Sequence, residues 1–168
     1  MAKANAKKSP PAPDLSLLDL GSLALLVGQS CAEAVRTDLG KHGYDDMRVS
    51  QAHVFQHVAE GSRGVTEIAR RLGVTQQATS AFVRNLQKLG YVTVKSAQGD
   101  ARKRMVHLTK RGDAVVSAAK KSRRALEAKL ARKHGPKTVA ACKKLLADVL
   151  EELGGVDAVA SRNARFAL

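Results

Sequence analysis

Tryptophan is absent from the 168 residues, and aromatic side chains make up only 3% of them. A core must then come mainly from Leu, Val and Ala, which suits packed helices and argues against a β-sandwich or a large barrel. Cysteine is scarce too: Cys31 and Cys142 are the only two. They are too few for a disulfide framework or a zinc module, which points to a reducing compartment and, by default, the cytoplasm. No apolar run reaches the ~18 residues of a membrane span, so no membrane partner is expected. Lys3, Lys7 and Lys8 ahead of the apolar run 23–27 imitate an export signal only loosely. Pro10, Pro11, Pro13, Asp14 and Asp19 break the stretch, and the helical pattern continues past Cys31 through Ala34, Val35 and Leu39.

Carboxylates are the minority charge, 15 against 29 Lys and Arg, and the formal net charge of +14 exceeds what solubility requires. Such an excess points to a polyanion, with nucleic acid ahead of a membrane surface. The excess is also localised. Residues 14–60 are net acidic, whereas residues 61–112 carry eleven Lys or Arg against two carboxylates. A basic block of this kind favours nucleic acid over a diffusely charged surface. Beyond Asp113 the chain is basic again, but there Lys and Arg alternate with Ala along a helix, a pattern that reads as a solvated face.

The length suits one domain of ordinary size, organised in four parts. Residues 1–13 form a basic tail of Ala, Lys, Ser and Pro without large apolar side chains, too polar to repay ordering. Residues 14–48 hold a Leu-rich helix from Asp14 to about Leu39 and a loop; its apolar positions exceed one stripe and call for a covering partner. Residues 49–112 begin with a helix that Ser50 can cap, followed by a short helix from Gly64 to Leu72 with Thr66 near its start. Thr75 then stands at the N-cap of a helix that ends at Gly90. From Tyr91 the period changes to two: Val92 and Val94 face one way, Gln98-Gly99-Asp100 supplies a turn, and Lys103–Leu108 returns. Residues 113–168 complete a long helix begun at Thr109, with Val115, Ala119, Leu126 and Leu130 on one side. A last helix opens at Pro136 with the stripe Val139, Cys142, Leu146, Val149 and Leu153.

Helix, tight turn, helix and basic hairpin in succession is the order of a winged helix-turn-helix, whose second helix enters the major groove. The predicted fold is mainly α with a small β-hairpin wing, and N- and C-terminal helices are assigned to dimerisation. In the second helix the apolar stripe Ala78, Phe82, Leu86 and Leu89 leaves Gln76, Gln77, Thr79, Ser80 and Arg84 for another molecule. Gln pairs with adenine, Arg with guanine or phosphate, and Ser or Thr with phosphate. At the hairpin Arg102, Lys103 and Arg104 are consecutive cations, able to reach a narrow groove, with Asp100 placed to hold a guanidinium. Free backbone N–H groups after Thr75 add a phosphate contact.

The stretch Val65-Thr66-Glu67-Ile68-Ala69-Arg70-Arg71-Leu72-Gly73-Val74-Thr75-Gln76-Gln77 resembles the helix-turn-helix of MarR-type transcriptional regulators. Asp100-x-Arg102-x-x-x-Val106-x-Leu108-Thr109-x-x-Gly112 resembles that family's wing signature, with Val106 where Leu is usual. The resemblance implies a homodimer whose two recognition helices read successive major grooves of a pseudo-palindromic operator in double-stranded DNA. It places Thr75, Gln76, Gln77, Thr79, Ser80 and Arg84 at the major groove and Arg102 and Arg104 on the wing. It also implies a repressor released by a small-molecule effector, often phenolic or anionic, bound between the dimer and DNA-binding regions.

Other readings rest on thinner patterns. A nonspecific architectural DNA-binding protein would use the same basic surface. A metal sensor has His53 and His57 four apart with Glu60 nearby, but lacks a third firm ligand. A thiol sensor has Cys31, without neighbouring aromatic residues, and Cys142 sits in an apolar stripe. No Walker loop, GxSxG, HExxH or paired carboxylates beside a nucleophile supports an enzyme, and no cofactor is expected. Asp45 and Asp46 read as a solvated loop pair.

Overall fold

The computed structural model describes residues 13–46, 49–59, 61–97 and 100–156, and within these all side chains except those of residues 49–52 and 100–103. The tail assigned to residues 1–13 lies, apart from Pro13, outside the described residues, as do Glu60 and the turn residues Gln98 and Gly99.

The first expected helix is divided. Asp14 accepts from the Ser16 N–H and closes a short 3-10 turn over Leu15–Leu17; Asp19 then accepts from the Ser22 N–H and starts a new helix, α1, over Leu20–Gly40. Two acidic caps five residues apart give two starts, and Leu18 between them is extended. Helix α2 spans Val49–Val58, α3 Val65–Leu72 and α4 Gln76–Lys88. The turn between α3 and α4 depends on Gly73, left-handed at φ +66°, whose N–H closes the end of α3. Thr75 caps α4 by accepting from the Ala78 N–H at 3.1 Å. Strand β2 (Val92–Ala97) and strand β3 (Asp100–Leu108) form the hairpin, with Val92 opposite Leu108 and Val94 opposite Val106, so the apolar alternation falls on one face.

A third strand, β1, is only Arg63–Gly64, and it pairs antiparallel with β3 so that the sheet order is β1-β3-β2. Helix α5 (Lys110–His134) and helix α6 (Pro136–Glu152) follow, joined at Gly135. Helix α5 packs against α1 on one side and α6 on the other. The core gathers Val35 and Leu39 from α1, Val54, Phe55 and Val58 from α2, Ile68, Val83 and Leu86 from α3 and α4, and Tyr91, Val92, Val106 and Val115 beyond them.

The end of this core toward α6 is thin. No described residue of α6 is buried, and Leu145 (54% exposed), Leu146, Leu150 and Leu153 (80%) lie bare, as do Leu20, Leu25, Leu26 and Val27 on α1. Scattered single exposed leucines are ordinary on a protein surface, but seven Leu or Val on two helices, with Leu153 just beyond α6, are a concentration of exposed apolar side chains.

One glycine sets how α5 meets the rest. Thr109 caps α5 by accepting from the Gly112 N–H, and its hydroxyl reaches the Gly90 carbonyl at 2.6 Å. A Cβ on Gly112 would fall on the Tyr91 carbonyl oxygen and crowd the Leu108 side chain. Gly112→Ala should therefore lower stability by about 1–3 kcal/mol through overpacking, although alanine favours helices. Denaturant unfolding checks this, and a stabilised variant would show that α5 does not approach Tyr91 so closely.

Candidate nucleic-acid interface

Helix α4 is presented by what it buries. Thr79, Val83 and Leu86 are its buried residues, and Ala78, Phe82 and Leu89 flank them half-buried. Thr79, expected at the major groove, is 0% exposed and its hydroxyl donates to the Thr75 carbonyl at 3.2 Å. That bond satisfies the hydroxyl within the helix, so Thr79 packs as a core residue. The buried stripe is thus turned slightly from the one read in the sequence. Gln76, Gln77 and Arg84 remain exposed and Ser80 half-buried. By helical spacing these four and Gln87 fall within about 100° of one another.

Gln76, Ser80, Arg84 and Gln87 line a concavity of about 670 Å³, closed by Gly64–Glu67 and Arg70 on one side and by Val94 and Arg104 from the hairpin on the other. The structure therefore brings Gln76, Ser80, Arg84 and Arg104 to one surface, with three guanidinium groups if Arg70 is counted. Gln87 and Arg70 were not read from the sequence. Carrying the helical wheel eleven residues on from Gln76 would have found Gln87; Arg70 becomes visible only once α3 is docked. Thr75 keeps its cap role at the same end of the helix. Across the hairpin, Arg104 stands opposite Ser96 next to an irregularity in the pairing. The side chains of Asp100, Arg102 and Lys103 lie outside the described residues.

Two joints hold this surface. In the first, Glu67 accepts from Arg63 at 2.9 Å and Arg71 at 3.1 Å, while the Arg63 Nε donates to the His57 carbonyl of α2. Desolvation pushes the Glu67 carboxyl up, but the hydrogen bonds from Arg71 and Arg63 outweigh it and hold the group below the ordinary carboxylate value. The short strand β1 thereby ties α3 to α2.

In the second joint, Arg111 of α5 donates to the Leu89 carbonyl at 2.8 Å, the Asp46 carboxylate at 2.9 Å and the Tyr91 hydroxyl at 3.3 Å. The Tyr91 hydroxyl in turn donates to Asp46 at 2.6 Å, and the guanidinium lies 4.5 Å from the Tyr91 ring centroid. Asp46, read as solvated, is instead one corner of this joint, which spans the α1–α2 loop, the end of α4 and the start of α5. Phe55 meets the same ring edge-on at 5.6 Å.

The candidate sensor residues of α2 are drawn toward the core. His57 is buried and His53 half-buried, and burial lowers the His53 pKa. Among the described residues no group of three or more His, Cys, Asp or Glu could hold a metal ion. Cys31 is half-buried and Cys142 exposed, so the expected apolar burial of Cys142 does not occur in this chain. Among the described residues no helix is long and apolar enough to cross a membrane.

A recognition helix held behind a three-residue turn, with a two-stranded basic wing at its flank, defines a winged helix-turn-helix. Residues 45–103 match the MarR family model. The fold is similar to that of the Escherichia coli regulator MarR in its apo form, at 23% identity and a TM-score of 0.65 over 80% of this chain and 98% of that one. It is similar to YusO from Bacillus subtilis at 20% identity and a TM-score of 0.63, over 77% of this chain and 92% of YusO. A mutant of Staphylococcus aureus MepR, solved bound to an oligodeoxyribonucleotide, shares 19% identity with a TM-score of 0.60, over 81% of this chain and 99% of that one. No curated protein matches the chain in sequence.

The buried hydroxyl in the second joint gives a pH signature. Desolvation, then the hydrogen bond to Asp46 and its charge, push the Tyr91 pKa up from 10.0 to about 12. Tyr91 thus keeps its proton longer in the folded chain than in the unfolded one. Its contribution to stability is full below pH 10 and is lost as the pH rises from 10 toward 12. Ultraviolet titration of phenolate should show a late step that Tyr91→Phe removes, along with the matching loss of stability in that window. A Tyr91→Phe variant with an unchanged alkaline profile would contradict the joint.

Proposed function

We propose that the chain is a homodimeric, sequence-specific DNA-binding transcriptional regulator that represses by occupying a pseudo-palindromic operator. The observation that carries this reading is the polar sector of α4, with Gln76, Gln77 and Arg84 exposed and Ser80 half-buried beside Arg104 of the wing, while the opposite side of the helix is buried. Gln77 and Arg84 supply base-edge contacts; Thr75, Ser80 and the first turn of α4 supply phosphate contacts; and Arg102, Lys103 and Arg104 serve the groove beside the wing, with Asp100 as its support. That MepR was solved with an oligodeoxyribonucleotide supports duplex DNA as the partner of such a fold.

The division of labour follows. Residues 49–112 bind DNA, while residues 14–48 and 113–168 pair two copies by covering the apolar surfaces of α1 and α6. Two copies place two recognition helices about one duplex turn apart, which a single copy cannot do. A small-molecule effector bound between the dimer and DNA-binding regions releases the operator by changing that spacing. The protein acts in the cytoplasm. The architectural alternative uses the same surface but needs no base-edge contacts, and the exposed glutamines favour the specific reading.

Arg102→Ala should weaken operator binding by ~1–3 kcal/mol at matched salt while leaving unfolding unchanged, and Gln77→Ala should change which base is preferred at one operator position. Fluorescence anisotropy on footprinted DNA from upstream of the chain's own gene measures both. Unchanged affinity for Arg102→Ala together with unchanged base preference for Gln77→Ala would reject the assignment.

A further inference from the structure

The recognition surface does not use the second concentration of positive charge. Residues 120–137 hold eight Lys or Arg and one carboxylate, Glu127. That carboxylate is already engaged, accepting from Lys143 of α6 at 2.6 Å. Among the described residues no ion pair joins Lys120, Lys121, Arg124 or Arg132 to a carboxylate, and all four are exposed.

These four share one side of α5, while the other three cations of the stretch on this helix, Arg123, Lys129 and Lys133, lie outside it. At 3.6 residues per turn the four fall within a sector of about 120°, whose centre lies roughly 170° from the buried Gly112, Val115 and Ser122. Leu130, 38% exposed, continues the buried side. The residues between the cations within the sector are small: Ala128 and Ala131. With no Leu or aromatic side chain there, the sector lacks what an interfacial helix would insert into a bilayer. Small neighbours instead let a phosphate backbone approach the cations closely.

Distance separates this sector from the recognition helix. Helix α5 starts at Lys110, pinned through Thr109 and Arg111 to the end of α4, and runs away for 25 residues. At 1.5 Å per residue Lys120 lies about 15 Å and Arg132 about 33 Å along it. From Lys120 to Arg132 is roughly 18 Å, enough to meet several phosphates at the ~3.4 Å rise of one DNA strand.

The geometry points to a second DNA-binding surface on α5, formed by Lys120, Lys121, Arg124 and Arg132, which holds the backbone of another duplex without reading its sequence. One molecule then bridges two DNA segments. This goes beyond the recognition-face reading and rests on it for the first duplex.

The test anchors one 30-base-pair duplex on beads, adds the full-length protein, and measures retention of a second, fluorescent duplex of unrelated sequence. The wild-type chain should retain the second duplex at 50 mM salt. Four backbone contacts make that retention fall on the order of 100-fold by 200 mM. The Lys120→Gln, Lys121→Gln, Arg124→Gln, Arg132→Gln variant should retain at least tenfold less, with its circular dichroism unchanged. The charge-conserving exchange of Lys for Arg and Arg for Lys at the same positions should retain the second duplex as wild type does.

Equal retention by the glutamine variant overturns the proposal, and so does failure of the wild type to hold a second duplex. Binding of phosphatidylglycerol vesicles through these four residues, with no second duplex held, overturns it in favour of a membrane surface. Retention of the protein on the first duplex, read separately, keeps the two readings apart: its loss rejects the recognition face, and its persistence without a second duplex rejects the surface on α5.

Discussion

The structure turns on the junction at the start of α5. There the Thr109 hydroxyl reaches the Gly90 carbonyl, Gly112 lets the helix approach the Tyr91 carbonyl, and Arg111 reaches the Leu89 carbonyl, Asp46 and Tyr91 together. All three attach to the two ends of one short segment, the exit of α4 and the entrance of the wing. The orientation of α4 is consequently fixed by the first turn of α5, a helix whose far half is joined to α6 through Glu127 and Lys143. Tyr91 is buried and packed edge-on against Phe55, which ties this junction to α2 as well. In a dimer this makes the spacing of two recognition helices a property of how α5 is seated.

Most of the fold was legible because it is written locally. Thr75, Gly73, Thr109, Gly135 and Pro136 mark helix ends by their own backbone chemistry, and the alternation of Val92, Val94, Val106 and Leu108 marks the hairpin. The misses have equally specific causes. Asp14 and Asp19 are both good caps with serines at the right distance, so what reads as one Leu-rich helix is a turn followed by a helix. Strand β1 is two residues long, and only its partner β3 defines it. Thr79 looks available to DNA on a helical wheel, yet its hydroxyl is satisfied by the carbonyl one turn back and the residue can be buried. The Asp46–Arg111 pair is 65 residues apart in sequence, a separation that no local pattern reveals.

Charge and apolar surface are segregated along the chain. The net-acidic residues 14–60 carry the exposed leucines of α1, the recognition block carries cations on the side where α4 is polar, and α6 carries bare leucines. The basic sector of α5 follows the same rule, since it lies across the helix from Leu130 and the core.

The central claim is that this surface reads sequence and does more than attract phosphate. The most direct measurement is competition: the affinity of the full-length protein for its footprinted operator against that for random duplex at the same physiological salt. The account predicts a ratio of ~10³ or more, the range of specific regulators. A ratio near one would contradict it, because Gln76, Gln77 and Arg84 would then contribute charge and polarity without reading bases.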